Sequence, residues 1–270
     1  MRPDHLLFMH IPKTAGSTVH SMLGLQFPKR RQLIRNMVQH TAALENLSAA
    51  QREELRLVRG HFPHGLHRFF TGSTEYTTLL REPVDRCISH YYYLKGKRGT
   101  LPQDDPRSIR HSLAELCSNG EFLFVDNLQV RYLSGNVAAP FGRVNETMFR
   151  EALKNLEAFP VIGIQREFDA YMLLLADRYR FRFPYYRRQR VNAERPSVQS
   201  VDEATREAVA TLNRWDRLLY DAAAARVQQL IAEKGEDFRS RLQRYRKRNR
   251  WVEAIANALP FFPKAAGAKE

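Results

Sequence analysis

The sequence predicts an α/β fold with a central parallel sheet flanked by helices, and three observations carry that prediction. Near the start, the apolar run Leu6-Leu7-Phe8-Met9-His10-Ile11 leads into a short loop, Pro12 to Thr18, and then into a helical pattern with Val19, Met22, Leu23 and Phe27 on one face. A second unit of the same kind follows, in which Tyr76-Thr77-Thr78-Leu79-Leu80 reads as a strand and Val84 to Leu94 as a helix. Along the rest of the chain, short strand patterns alternate with longer helical ones, the rhythm of a parallel sheet covered by helices.

Taken in order, the first strand is expected over 5–11, where no polar residue interrupts the run before His10, and its helix over 16–26. Helix 48–55 precedes a strand over 55–59, built on Leu55-Arg56-Leu57-Val58. Strand 76–80 runs into helix 84–96, and the stretch from Gly99 to Ser108, with Pro102, Asp104, Asp105 and Pro106, is a loop. Helix 122–133 ends at a glycine cap, Gly135, and helix 145–158 leads to the last strand, 160–164, on Val161-Ile162-Gly163-Ile164. Helices 166–178, 202–233 and 236–257 complete the chain, and Arg180-Phe181-Arg182-Phe183 alternates strictly, as a short edge strand or an extended loop would. The sequence contains no internal repeat. Residues 1–235 read as one domain and residues 236–270 as a basic helical appendage carrying Trp251, Ile255 and Pro260-Phe261-Phe262-Pro263.

Composition sets the outer limits. The 270 residues are 43% hydrophobic and 27% charged, ordinary for a globular chain able to bury one substantial core. The apolar runs fall far short of the ~20 residues that cross a bilayer, and no secretory leader pattern is present, so a cytoplasmic protein is expected. Cys87 and Cys117, the only cysteines, read as small hydrophobes rather than a disulfide or a metal site. The formal net charge of +14 is concentrated in Arg178–Arg195 and Arg239–Arg250. Such patches suit a polyanion, an anionic lipid surface or an acidic polysaccharide. No recognisable nucleic-acid motif accompanies them, so nucleic acid is not an expected partner.

The loop after the first strand is the chemically loaded feature. A strand–loop–helix turn aims unpaired N–H groups and the positive end of a helix dipole at one point, which makes a phosphate site. Lys13 adds a charge, Thr14, Ser17 and Thr18 add donors, and Gly16 permits close backbone approach. Lys13 precedes the glycine, so the loop is not the G-x-x-x-x-G-K-[ST] loop of nucleoside triphosphatases.

His10-Ile-Pro-Lys-Thr-Ala-Gly-Ser-Thr18 resembles the 5′-phosphosulfate loop of carbohydrate sulfotransferases that use 3′-phosphoadenosine-5′-phosphosulfate (PAPS), in the branch of heparan sulfate and uronyl 2-O-sulfotransferases and their bacterial relatives. Arg81-Glu-Pro-Val-Asp-Arg-Cys-Ile-Ser89 is similar to that family's second motif, in which an arginine and a serine eight residues on hold the 3′-phosphate. Segments 126–135, 161–168 and 192–196 with 215–220 resemble further landmarks, so the likeness spans roughly residues 5–232. The resemblance implies a P-loop-like nucleotide-binding fold. It also implies a cofactor site on Lys13, Thr14, Ala15, Gly16, Ser17, Thr18, Arg81 and Ser89, with Arg190 and Asn192 near the adenine, and no metal.

By the same likeness, Lys13 faces the oxygen bridging phosphate and sulfate, and His61, in Gly60-His61, is the general base. Histidine suits that task because its ordinary pKa of about 6.5 lies near working pH. Where relatives carry His-Gly-His, this chain has Arg59-Gly60-His61, which leaves one histidine. His64 and His67 read as packing residues. The implied acceptor is a hydroxyl of a glycan or glycolipid, acidic where the arginines receive it, and the basic tail could also touch the inner membrane surface. A kinase-like phosphotransferase is the competing class. It lacks support, because the second motif's strand ends in Arg81 rather than a metal-binding aspartate. A non-catalytic polyanion-binding homologue is the other alternative.

Overall fold

The computed structural model describes residues 3–35, 37–96, 111–189 and 196–258. Its centre is a five-stranded parallel sheet in the order β2-β3-β1-β4-β5. The strands are β1 (His5–Met9), β2 (Gln32–Arg35), β3 (Leu57–Gly60), β4 (Thr74–Leu80) and β5 (Val161–Ile164). Every residue of β1, β3 and β5 is buried, as expected when helices cover both faces of a sheet. Register is set by the pairs Met9↔Gly60, Met9↔Thr78 and Leu80↔Ile164, so the C-terminal ends of β3, β1, β4 and β5 lie side by side.

The helices are α1 (Gly16–Gln26), α2 (Met37–Glu45), α3 (Ala49–Glu54), α4 (Pro83–Gly96), α5 (Leu113–Asn119), α6 (Leu128–Ser134), α7 (Glu146–Ala158), α8 (Phe168–Tyr179), α9 (Glu203–Leu212), α10 (Arg214–Glu233) and α11 (Gly235–Ala258). After β1 the chain turns through α1 to β2 at one edge; after β4 it passes through α4 and later helices to β5 at the other. The order therefore reverses between β1 and β4, and the crevice at their C-terminal ends is where open α/β sheets place ligands.

Several expectations change. β2 and α2 were not anticipated: β2 is an edge strand of four residues, with Arg35 at its end and a single neighbour, so it lacks a buried apolar run. β1 stops at Met9 because Pro12 follows, although His10 N–H still reaches Gly60 O at 2.9 Å. The helix expected over 122–133 is a short turn, Leu123–Val125, followed by α6. The helix expected over 202–233 is split at Asn213. Both breaks come from one buried exchange. Asn127, with φ of 44°, accepts Trp215 N–H and Asp216 N–H on its side-chain oxygen, and Asn213 accepts Asn127 N–H in return. Asp216 then caps α6 through Gln129 N–H and Val130 N–H. Burial pushes its carboxyl up, opposed by the nearby Arg86 guanidinium. Arg180–Phe183 is loop, not strand, opening on a left-handed Arg180 with φ of 53°, and the segment 99–108 lies outside the described residues.

The core is continuous from the sheet into the helical layer. α11 buries Phe238, Leu242, Tyr245, Asn249 and Ala256, and Arg241 and Arg246 pair with Asp177 and Glu167 at the two ends of α8. Both cysteines are free, and burial pushes the Cys87 thiol up to about 12 and Cys117 to about 11. No helix among the described residues is long and apolar enough to cross a membrane, and none of their His, Cys, Asp and Glu side chains form a group of three or more placed to hold a metal ion.

Candidate functional site

The loop from β1 to α1 has an unusual backbone. Lys13 and Ala15 both adopt left-handed conformations, with φ of 69° and 70°, and Thr14 between them does not. Alternation of this kind turns successive N–H groups to one side and forms a concave anion nest. A left-handed L-residue costs of order 1–3 kcal/mol and persists only where its surroundings fix it. Here Thr14 Oγ1 donates to Ile11 O at 2.9 Å, Arg81 Nη1 donates to Lys13 O at 2.9 Å, and Thr18 N–H reaches Ala15 O at 3.1 Å. The N-cap of α1 is Ala15, and no side-chain cap is made there.

The three expected hydroxyl donors of this loop and its glycine therefore have distinct placements. Thr14 is buried and its hydroxyl hydrogen goes to Ile11, so it shapes the loop and offers an anion only backbone. Thr18 Oγ1 accepts Gln189 N–H at 3.0 Å, which ties the loop to the segment beyond α8. Ser17 is half-buried. Gly16 is required by His10 rather than by a ligand: a Cβ there would lie 2.0 Å from His10 Cδ2.

Arg81 leaves the end of β4 into the same crevice. Gln129 of α6 clamps its backbone, accepting Arg81 N–H at 2.9 Å and donating to Arg81 O at 3.0 Å. The guanidinium donates through Nε to Asp85 Oδ2 at 2.6 Å and through Nη1 to Lys13 O, so the two sequence motifs, 68 residues apart, meet directly. Ser89 is buried two turns into α4. One turn on, Tyr93 receives the Lys13 ammonium over its ring, 3.9 Å from the centroid, a cation–π contact.

From β3, on the other side of β1, comes His61. Its Nδ1 lies 2.7 Å from His10 O. A carbonyl can only accept, so Nδ1 carries the hydrogen and the lone pair falls on Nε2. The His61 ring stacks on His10 with centroids 4.3 Å apart, and His10 is held in turn by the missing side chain of Gly16. Arg59, in place of the first histidine of the longer pattern, turns away from the crevice. It donates to His20 O on α1 and lies against Gly24, and burial lowers its pKa to about 10. His64 packs among His67, Tyr76 and Phe159, where burial takes its pKa down to about 4.

Sequence reasoning missed Tyr93, Gln129, Asp85 and His90. His90 follows Ser89 and packs on Phe124 at 4.4 Å; burial holds its pKa well below the ordinary value, with the Arg86, Lys13 and His61 charges acting in the same direction. The i, i+4 spacing from Arg81 to Asp85 was the one local signal available. The arginine cluster after α8 divides. Arg180 and Arg182 line a cavity of about 720 Å³ at the N-terminal end of the sheet with Asp4, Phe27 and Arg56. Arg188 pairs with Glu253 of α11, and its neighbour Gln189 reaches Thr18. Arg190 and Asn192 lie outside the described residues. No family model matches the chain, and no curated protein matches it.

Proposed function

We propose that the protein is a PAPS-dependent sulfotransferase that moves a sulfuryl group to a hydroxyl of a carbohydrate or glycolipid, on a P-loop-like sheet. The observation that carries this reading is the meeting of an alternating-φ loop bearing Lys13 with the Arg81 guanidinium, at the crevice where the strand order reverses. The residues present fit a nucleotide with two separate anionic groups. The nest, the uncapped start of α1 and Lys13 suit a 5′-phosphosulfate. Arg81, held by Asp85 and followed by Ser89, offers a guanidinium fork for a 3′-phosphate.

When bound, PAPS supplies an activated sulfuryl group, whose bond to the 5′-phosphate breaks as the bond to the acceptor oxygen forms. His61 takes the acceptor's proton on Nε2, because its Nδ1–H is committed to His10 O. Lys13 contributes a full positive charge beside the nest, and its effect grows as negative charge develops on the departing phosphate. Gln129 and Asp85 fix Arg81 from its backbone and its side chain, so little reorganisation is needed on binding.

The test is thermal. Adenosine 3′,5′-bisphosphate should raise the melting temperature, since a ligand of the folded state at a hundredfold excess over Kd adds about 2.7 kcal/mol. Adenosine 5′-phosphate should do far less, because it lacks the group that Arg81 reads. A shift that requires magnesium and ATP would instead favour a phosphotransferase. Labelled PAPS offered with a panel of glycans and glycolipids then identifies the acceptor.

A further inference from the structure

Seven basic residues lie on α11, and three of them have carboxylate partners: Arg239 pairs with Glu236, Arg241 with Asp177 and Arg246 with Glu167. Arg244, Lys247 and Arg248 are exposed and have no carboxylate partner among the described residues. Together with Trp251 they fall at i, i+3, i+4 and i+7, a single stripe opposite the buried face of Phe238, Leu242, Tyr245 and Asn249. Trp251 is 69% exposed, a large apolar ring facing solvent at the C-terminal end of this row of cations.

We propose that this outer stripe of α11 is a docking surface for an anionic lipid bilayer. The chemistry fits on both counts. Clustered cations on a helix are attracted to anionic headgroups, and an indole, apolar with one N–H, settles at headgroup level. The stripe is about 10 Å long and convex, so it can lie flat on a plane without rearrangement of the core. Nucleic-acid phosphates would engage the cations alone, whereas a bilayer interface also accommodates the exposed ring of Trp251, and that ring favours the bilayer. The inference does not depend on sulfuryl transfer.

The full chain, sedimented with vesicles of equimolar phosphatidylglycerol and phosphatidylcholine, should bind, and added salt should weaken the binding. Vesicles of phosphatidylcholine alone should not bind. Neutralising one cation of the stripe should weaken partitioning about fivefold, and Lys247→Gln with Arg248→Gln about thirtyfold. Trp251→Ser should weaken it further, while Trp251→Tyr retains most of it. The matched control is Lys29→Gln with Arg30→Gln, two exposed cations elsewhere. All of these side chains are exposed, so melting temperatures should not change. Three outcomes would overturn the proposal: equal binding to neutral vesicles, an equal loss in the control pair, or no vesicle binding at all. Stripe-dependent binding to a DNA duplex with none to vesicles would assign the surface to nucleic acid instead.

Discussion

Gly16→Ala is the most revealing single change, because it adds one methyl group at the point where the loop, His10 and His61 touch. The new Cβ would sit 2.0 Å from His10 Cδ2 and 2.4 Å from Nε2, where ordinary contact begins at 3.4 Å, a deficit of about 1.4 Å. The ring has little room to retreat, since it stacks on His61 at 4.3 Å on one side and faces Phe8 at 5.8 Å on another. Overpacking of this kind costs about 1–3 kcal/mol. For a chain of this size that lowers Tm by about 2–12 °C, measured by calorimetry or circular dichroism. The decisive assay is a double-mutant cycle with His10→Ala, which removes the clashing ring atoms. In that background Gly16→Ala should be nearly silent, giving a strong favourable coupling. If the two changes add independently, or if Gly16→Ala leaves Tm unaltered, the close packing of His10 on Gly16 does not determine this corner of the site.

Two further expectations concern histidines. His61→Ala should preserve the melting shift given by adenosine 3′,5′-bisphosphate while turnover falls by about 10²–10⁴, the range for loss of a general base; near-normal turnover would remove His61 from that role. His64 has a folded-state pKa of about 4, below its ordinary 6.5, so the unfolded chain binds its proton first and stability falls as pH drops from about 6.5 towards 4. His64→Phe should flatten that part of a denaturant-midpoint against pH curve, and an unchanged slope would show that other groups carry it.

Much of the frame is legible in the residues alone. Leu6 to Met9 and Tyr76 to Leu80 are apolar runs next to distinctive loops, and the helices after them follow because apolar residues recur at helical spacing. β2 was hidden because its place at the sheet edge, with charged residues around it, removes the apolar run that marks a buried strand. α5 did leave a signal: Ser112 and Glu115 form a capping box, a pattern readable as S-x-x-E. The breaks at Asn127 and Asn213 had none, since each is made by a partner more than eighty residues away. In the candidate site, loop chemistry and a resemblance to a family single out Lys13, Arg81 and His61. Tyr93 and Gln129 depend on which way a helix turns its side chains, and one sequence does not give that.

The Lys13–Ala15 turn has a consequence for how freely the chain moves before it folds. Tight turns with positive φ are usually written with glycine, which roams widely in the unfolded state and must surrender that freedom. Here the two left-handed positions are a lysine and an alanine, residues with far fewer unfolded conformations to lose. The loop thus exchanges entropy loss for local strain, and the strain is borne by contacts that exist only in the folded protein. An anion bound there, as proposed, would meet a cradle already shaped, so little of its binding energy would be consumed in ordering the backbone.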